Sequence, residues 1–116
     1  MRNHFDNQLA LLNQEMTRMG GLCEEIIELV AKALTGWEDD LLNRVAVLGG
    51  EIDESERTIE SLCLKLLLQQ QPVARDLRVI SAAMKMITDM ERIGDHCTNI
   101  AEWVEFSVTG QHKNCQ

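Results

Sequence analysis

Three carboxylates gather at one angle of a helical segment in the last third of the sequence. Glu91, Asp95 and Glu102 project within about 40° of one another when each residue turns the helix by 100°. They continue a stripe whose earlier members, from Leu77 to Ile87, are apolar and follow steps of three and four residues. Like charges one helical turn apart repel each other when no basic neighbour is present. The arrangement therefore predicts a place where a cation or solvent relieves the repulsion.

A second acidic group lies in the preceding helical segment, where Asp53, Glu56 and Glu60 fall within about 60° of one another. Clustered carboxylate oxygens are the ligands that hard and borderline cations prefer. The two groups together predict a site for a divalent, iron or zinc ion. Its expected ligands are Glu91, Asp95, Asp53 and Glu56. The alternative is a solvated acidic face, because any acidic helical protein contains carboxylate pairs at this spacing.

The spacing of the histidines offers no catalytic arrangement. A di-iron oxidase of the ferritin type needs Glu-x-x-His on bundle helices. The residues three positions before His96 and His112 are Ile93 and Thr109. A nucleophile needs a positioned base, and nothing in the sequence sets a histidine beside a cysteine or serine. We therefore expect a binding protein and not an enzyme, with His96 on a polar face.

Four cysteines are spread along the chain without a CxxC pair, at Cys23, Cys63, Cys97 and Cys115. This spacing does not fit a zinc ribbon or a thioredoxin-like site. We expect reduced and buried thiols, except at Cys115, which lies in the polar segment HKNCQ and is the strongest candidate for a reactive thiol.

Composition and charge limit the class of protein. The 116 residues are 45% apolar but only 3% aromatic, which favours a helical fold. The formal net charge of -8 argues against nucleic acid as a direct partner, because lysine and arginine are needed to neutralise phosphates. No secretory signal is recognisable, and no run approaches the roughly 18 apolar residues of a membrane span. We expect a cytoplasmic all-α protein without direct membrane insertion.

The first segment has the periodicity of one amphipathic helix of about nine turns. Its apolar positions alternate steps of four and three residues without a break. They are Phe5, Leu9, Leu12, Met16, Met19, Cys23, Ile26, Val30, Ala33 and Trp37. Asn3 is the expected N-cap of this helix, and Gly36 is the expected stop.

A second helical stripe leads to the single proline of the chain. Its members are Leu41, Val45, Leu48, Ile52, Ile59, Leu62 and Leu66. Because a residue before proline disfavours the helical region, Gln71 marks the expected boundary. Pro72 is expected to begin the third helix, with Asp76 in its early turns. That helix should run to about Val108, where Gly110 stops it.

The third helix has a second apolar face, about 130° from the stripe that begins at Leu77. This face consists of Met86, Met90, Ile93, Cys97, Ile100 and Val104. Such a helix must contact neighbours on two sides. Three long helices with short connections predict an antiparallel up-down-up three-helix bundle about 50 Å long. We expect the bundle at residues 1–110 and a polar C-terminal tail at residues 111–116.

Two long motifs stand at residues 69–80 and 89–104, QQQPVARDLRVI and DMERIGDHCTNIAEWV. They closely resemble motifs of the PhoU family, whose members regulate phosphate uptake and signalling in bacteria. The stretches RNHFDNQLALLNQEMTRMG and EIDESERTIESLCLKLL are similar to the family's first and second helices. The resemblance covers nearly the whole chain and implies a PhoU-like three-helix bundle repeat.

The resemblance implies a regulatory adaptor of phosphate homeostasis. Such an adaptor docks to the ATPase of the phosphate ABC transporter and to the associated sensor kinase, and it restrains uptake and starvation signalling. The resemblance also implies a metal-binding acidic motif, which maps onto Glu91 and Asp95. A matching motif in the second helix would pair Asp53 with an acidic residue at position 49, but this sequence has Gly49. The rival hypothesis is a helical bundle that buffers cations on its acidic patches.

Further expectations concern contacts with other chains. The second apolar face of the third helix predicts a homodimer, as does the presence of one bundle where family members usually have two. Arg75, Asp76 and Arg78 are the candidate partner-binding residues. The alternative is that these charges hold the turn between the second and third helices in place. Gly94 is expected at a position of close backbone approach beside Glu91.

Overall fold

The computed structural model describes residues 2–69 and 72–110, and three α-helices make up most of these ranges. The helices are α1 (Arg2–Thr35), α2 (Leu41–Gln69) and α3 (Ala74–Thr109). They form a rod with extents of 58 × 26 × 18 Å. The expected all-α three-helix bundle is confirmed. Within the described ranges, no helix combines the length and the apolar character that crossing a membrane requires.

Two contacts show that α2 and α3 run antiparallel. The thiol of Cys63 in α2 donates a hydrogen bond to the backbone carbonyl of Ile80, near the start of α3. Gly94, fourteen residues further along α3, lies against Ile52, which comes earlier in α2. Residue numbers therefore rise along α3 as they fall along α2, which is the arrangement that a short connection produces.

The first and third helices run parallel to each other. The thiol of Cys23 in α1 donates a hydrogen bond to the carbonyl of Met90, 67 residues further along the chain. Met16 and Ala83, which are again 67 residues apart, line the same groove between α1 and α3. This constant offset fixes the register of α1 against α3.

The apolar seams of α1 and α2 form the core, as their periodicity predicts. The largest fully buried apolar residues of the core are Phe5, Leu12, Met19, Ile26, Val45, Ile52, Ile59, Cys63, Leu66 and Ile80. Two seam residues differ from expectation. Trp37 lies beyond the end of α1 and is exposed. Leu77 lies in the first turn of α3 and is 41% exposed. Both lie near an end of the rod, where fewer neighbours can cover a side chain.

The helix ends correct part of the sequence analysis. Asn3 lies inside α1, so it is not the N-cap, and Pro72 precedes α3 by two residues because Val73 holds the extended conformation before the first turn. Asp76 is in the first turn, as predicted. Gly110 has a left-handed φ of 76°, and its N–H donates to the Phe106 carbonyl, so the predicted stop is confirmed. The boundary predicted at Gln71 and the tail predicted at 111–116 lie outside the described residues.

Candidate functional site

A close approach of α2 and α3 brings the predicted acidic residues together. A methyl group built on Gly94 would lie 3.3 Å from Cδ1 of Ile52, so the absence of a side chain at Gly94 allows the two helices to pack tightly. Asp53 and Asp95 follow these two residues in sequence, and Glu91 lies one turn before Asp95. The glycine that the sequence placed beside Glu91 thus sets the spacing of the site.

Asp53, Glu91 and Asp95 form the site, which we call the acidic cluster. Each contributes one carboxylate oxygen, and the three oxygens lie within 4.8 Å of one another. Asp53 and Glu91 are half-buried and Asp95 is exposed, so an ion bound here would keep access to water. Three carboxylate oxygens with open positions for water suit a hard or borderline cation.

Glu56, the fourth predicted ligand, contributes charge near the acidic cluster but is not one of its three members. Its side chain is half-buried. Burial raises the pKa of Glu56, as do the charges of Glu60, Asp53 and Asp95, whereas Arg57 lowers it. Glu56 therefore adds to the negative potential at the site without belonging to the closest group of oxygens.

Glu91 is the carboxyl group whose ionisation the acidic cluster opposes. Burial raises the pKa of Glu91 most, followed by a hydrogen bond with Asp95 and by the negative charges of Asp95, Glu56 and Asp53. A proton on Glu91 removes one negative charge, whereas a divalent cation bound between the carboxylates would offset several of these charges at once. The electrostatics of the site thus favour a cation over an anion.

Gly49 has left an open space beside the acidic cluster. A pocket of about 560 Å³ is lined there by Ala46, Gly49, Gly50, Asp53, Asp95, Thr98 and Asn99. A side chain at position 49 would start 3.6 Å from Oγ1 of Thr98, which is an ordinary contact distance. A carboxylate at this position would fit into the pocket. Sequence reasoning missed Thr98 and Asn99, although their spacing of three and four residues after Asp95 places them on the same side of α3.

The predicted partner-binding residues lie at the other end of α3. Arg75 and Arg78 are exposed in its first turns, about 30 Å and about 25 Å along the helix from Asp95. Asp76 is only 3% exposed, so its side chain offers little surface to a partner, and its part in partner binding stays a prediction. A carboxylate in the first turn stabilises the positive end of the helix dipole, which accounts for a local structural role of Asp76.

The remaining candidate residues do not form a second reactive site in the described part of the chain. His96 is exposed on a polar face, as predicted. Cys23, Cys63 and Cys97 are buried free thiols, also as predicted. Burial raises the pKa of all three, which disfavours the reactive thiolate. Cys115 lies outside the described residues.

The fold and the acidic cluster define a class of protein, a long helical bundle with a carboxylate site on its surface. The family follows from the sequence match. Residues 16–104 match the family model described as PhoU domain, and the chain therefore belongs to the PhoU family.

Several curated relatives share this domain. A protein of Synechocystis sp. named phosphate-specific transport system accessory protein PhoU homolog is 39% identical over 101 residues, which cover 87% of this chain and 45% of the relative. Proteins of the same name from Deinococcus radiodurans and Clostridium acetobutylicum are each 34% identical, over 88% and 90% of this chain and 48% of each relative. The chain thus spans about half the length of these relatives. No solved structure gives a significant match.

Proposed function

We propose that this chain is a regulatory adaptor of phosphate uptake. In this role it docks to the ATPase of a phosphate ABC transporter and to the associated sensor kinase, and it restrains uptake and starvation signalling when phosphate is plentiful. The observation that carries the proposal is the PhoU domain match over residues 16–104, together with relatives named as accessory proteins of a phosphate-specific transport system. An accessory protein acts by binding, which agrees with a rod of exposed helix faces.

The start of α3 is the part of this surface that we assign to the partner. Arg75 and Arg78 project from an otherwise acidic chain of net charge -8, so they supply a local positive patch. Opposite charges across an interface accelerate association and select the correct partner. The proposed contact is therefore an acidic patch on the transporter ATPase or on the kinase.

A binding experiment with purified components tests the proposal. The ATPase subunit and the cytoplasmic part of the sensor kinase from the same organism are immobilised, and the chain is passed over each. Arg75→Glu with Arg78→Glu should weaken binding by roughly tenfold or more, which corresponds to about 1.4 kcal/mol. Arg18→Glu with Lys65→Glu is the matched control, since both residues are exposed on other helices and the change in charge is equal.

The possible outcomes test the adaptor role and the contact surface at the start of α3 separately. A parent chain that binds neither the ATPase nor the kinase contradicts the adaptor role. Equal weakening by both double variants would mean that net charge matters and that the start of α3 is not the contact. Loss of binding in the first variant alone supports both the role and the surface.

The acidic cluster supports a second function, cation binding. The specific observation is the 4.8 Å grouping of carboxylate oxygens from Asp53, Glu91 and Asp95. A divalent, iron or zinc ion held there would neutralise charge at the crossing of α2 and α3. Such an ion would either accompany the adaptor role or be the function itself, as a cation buffer.

Equilibrium dialysis against magnesium, zinc and iron tests this second function. Glu91→Gln with Asp95→Asn should abolish the bound ion. Glu24→Gln with Glu28→Gln is the control, because these two exposed carboxylates are also one turn apart but lie on α1. Gly49→Glu should tighten binding by about tenfold, because affinity rises with the number of charged ligands and the pocket has room for the side chain. Equal binding by the parent and the first variant would place the ion elsewhere.

A further inference from the structure

Two of the chain's four tryptophan and phenylalanine residues lie exposed in the last turns of α3. Trp103 is 62% exposed and Phe106 is 38% exposed. Their rings meet edge to face, with centroids 6.2 Å apart and an angle of 85° between the ring planes. Trp103 follows the buried Ala101 by two residues, so its ring projects from the side of α3 opposite the core. Tryptophan is enriched at the centres of binding surfaces, so this pair is a candidate contact.

Negative charge accompanies the aromatic pair along α3. Between Ile93 and Thr109 the helix carries Asp95, Glu102 and Glu105 but no lysine or arginine. The last turn of α3 contains no basic residue, although the C-terminal end of a helix dipole is negative and favours one. The side-chain charges and the helix dipole therefore have the same sign here. Both favour a cationic group next to this end of the helix.

The turn between α1 and α2 extends the negative surface. It contains three consecutive carboxylates, at residues 38–40. Glu105 of α3 lines a cavity of about 100 Å³ together with Glu38 and Asp40. The turn and the last turns of α3 therefore form one surface at the same end of the rod. We call residues 38–40 and 102–106 the acidic-aromatic end.

We propose that the acidic-aromatic end binds a basic segment of another protein, with an arginine side chain of that segment lying against the Trp103 ring. The face of an indole ring attracts a cation, and a guanidinium group can stack on the ring while it donates hydrogen bonds to a carboxylate. Glu102 precedes Phe106 by one turn, so a carboxylate and an aromatic ring lie side by side there. Apolar side chains of the same segment would contact Phe106.

This surface is separate from the contact assigned to Arg75 and Arg78. Those residues lie at the start of α3, about 40 Å along the helix from Trp103. The two ends also carry opposite charge, so the start of α3 suits an acidic patch and the acidic-aromatic end suits a basic segment. The proposal therefore does not rest on the adaptor role. A chain without affinity for the transporter ATPase or the kinase would still be expected to bind a basic segment.

Charge distinguishes a basic protein segment from other occupants. Nucleic acid and anionic lipid would bring phosphates against carboxylates, and like charges repel. A neutral apolar partner would bury carboxylates without a counter-charge, which costs free energy. The basic residues nearest the turn in sequence, Lys32 and Arg44, line a different groove with Glu25 and Glu28. Arg44 also pairs with Glu38 at 3.0 Å, so it offsets one charge of the surface and leaves the surface negative.

Isothermal titration calorimetry with synthetic peptides tests the proposal. The probes are an amphipathic peptide of leucine and arginine and the same peptide with glutamate in place of arginine. The parent should bind the arginine peptide and not the glutamate peptide. Trp103→Ser should raise the dissociation constant of the arginine peptide by roughly tenfold or more. Leu64→Ser is the matched control, since it removes an apolar side chain of 48% exposure from α2.

The part played by the carboxylates is measured with the same peptide. Glu102→Gln with Glu105→Gln should raise the dissociation constant by roughly tenfold. Glu24→Gln with Glu28→Gln removes the same charge from exposed positions on α1 and should leave the constant within about twofold. This pair of variants separates a local contact from the attraction of any acidic chain for a basic peptide.

The fluorescence of Trp103 reports where the peptide binds. Trp37→Phe leaves Trp103 as the only tryptophan of the chain. Its emission should shift to shorter wavelength when the arginine peptide covers the ring. Helical circular dichroism checks the folding of each variant. If Glu102→Gln with Glu105→Gln fails to fold, Trp103→Ser decides the outcome, because most of that side chain is already in solvent.

Four results would overturn the proposal. The first is a parent that binds neither peptide at high micromolar concentration, or both equally; binding that appears only after Lys113→Gln would give the surface to the chain's own residues 111–116. The second is equal weakening by the two pairs of carboxylate variants. The third is Trp103 emission that stays unchanged while the peptide binds. The fourth is self-association, seen by light scattering, that Arg75→Glu with Arg78→Glu abolishes, which would give the surface to a second copy.

Discussion

The two sides of α3 carry different kinds of side chain, carboxylates towards α2 and apolar residues towards α1. Towards α2, the helix carries Glu91 and Asp95 beside a buried glycine, and the two backbones come close together. Towards α1, it carries Val79 and Met86, which line a groove with α1 but stay 43% and 50% exposed. One side leaves charge to be neutralised, and the other leaves apolar surface to be covered.

The difference shows how one helix can hold two separable surfaces. Charge at the acidic cluster acts through electrostatics, so isosteric removal of that charge leaves packing intact. Val79 and Met86, on the side towards α1, line an apolar groove, so a new charge at either position would carry a desolvation cost wherever that groove is covered. Changes that alter shape on the α2 side should therefore be costly, whereas changes that alter only charge there should be mild.

The largest expected effect comes from filling the close approach on the α2 side. Gly94→Leu should lower the free energy of unfolding by about 2–3 kcal/mol, because its side chain must displace Ile52, which is fully buried. Gly94→Ala should change stability by no more than about 1 kcal/mol, because the gain in helix propensity offsets a tight contact with the flexible end of Ile52. Urea denaturation measures both.

Gly21→Leu is the control for this substitution. Gly21 is also in mid-helix, but a side chain there would meet nothing within 4 Å. It should raise stability by roughly 1 kcal/mol through helix propensity alone. If Gly94→Leu were as stable as Gly21→Leu, the close approach of α2 and α3 would be wrong.

A smaller effect is expected from the ion itself. A free ion concentration ten times the dissociation constant stabilises the folded chain by about 1.4 kcal/mol. Thermal melting with iron, zinc or manganese should show this increment in the parent and in Glu24→Gln with Glu28→Gln. Glu91→Gln with Asp95→Asn should lose it. Identical shifts in the three proteins would mean that the ion binds outside the acidic cluster.

The smallest effect concerns pH in the absence of metal. A carboxyl group whose pKa is raised in the folded state binds more protons folded than unfolded, so stability falls as pH rises from its ordinary value of 4.5 through the raised pKa of Glu91. Glu91→Gln with Asp95→Asn removes this loss. At neutral pH the variant should be more stable by about 0.2–0.5 kcal/mol for the like-charge pair.

Chelator-treated protein melted at several pH values checks this sign. The advantage of the double variant should shrink as the pH is lowered towards 4.5, because Glu91 of the parent, whose pKa is raised, becomes protonated. An advantage that grows on acidification would contradict the repulsion assigned to Glu91 and Asp95.

Sequence periodicity predicted the helices and most of the core, because a repeated step of three and four residues has one geometric meaning. All three residues of the acidic cluster were among the four ligands predicted from the sequence, and Glu56 was the fourth. What periodicity could not supply was the exact rotation of α3. Leu77 and Asp95 are eighteen residues apart, five full turns, so they share one angle and both are exposed. The buried line follows the predicted stripe through Ile80, Ile87 and Gly94 and then continues through Cys97 and Ala101.

The burial of Asp76 near the start of α3 is a further feature that the periodicity of the sequence did not predict. Asp76 was predicted as a partner-binding residue together with Arg75 and Arg78, and its side chain is buried, whereas most aspartates are exposed. The grouping of Asp53 with Glu91 likewise depends on the register of two helices, which sequence spacing within each helix does not define. The burial of Asp76 and the proximity of Asp53 to Glu91 both depend on how the helices pack against each other.

Two buried thiols lie where α1 and α2 contact α3, so their chemical labelling can report local opening of the bundle. Cys23 joins α1 to α3 through the Met90 carbonyl, whereas Cys63 joins α2 to α3 through the Ile80 carbonyl. Both thiols are buried, and burial raises their pKa, so we expect each to react with a thiol reagent mainly when its own helix separates from α3. The labelling rates of Cys23 and Cys63 therefore report which of the two helices leaves first, without any foreign probe in the chain.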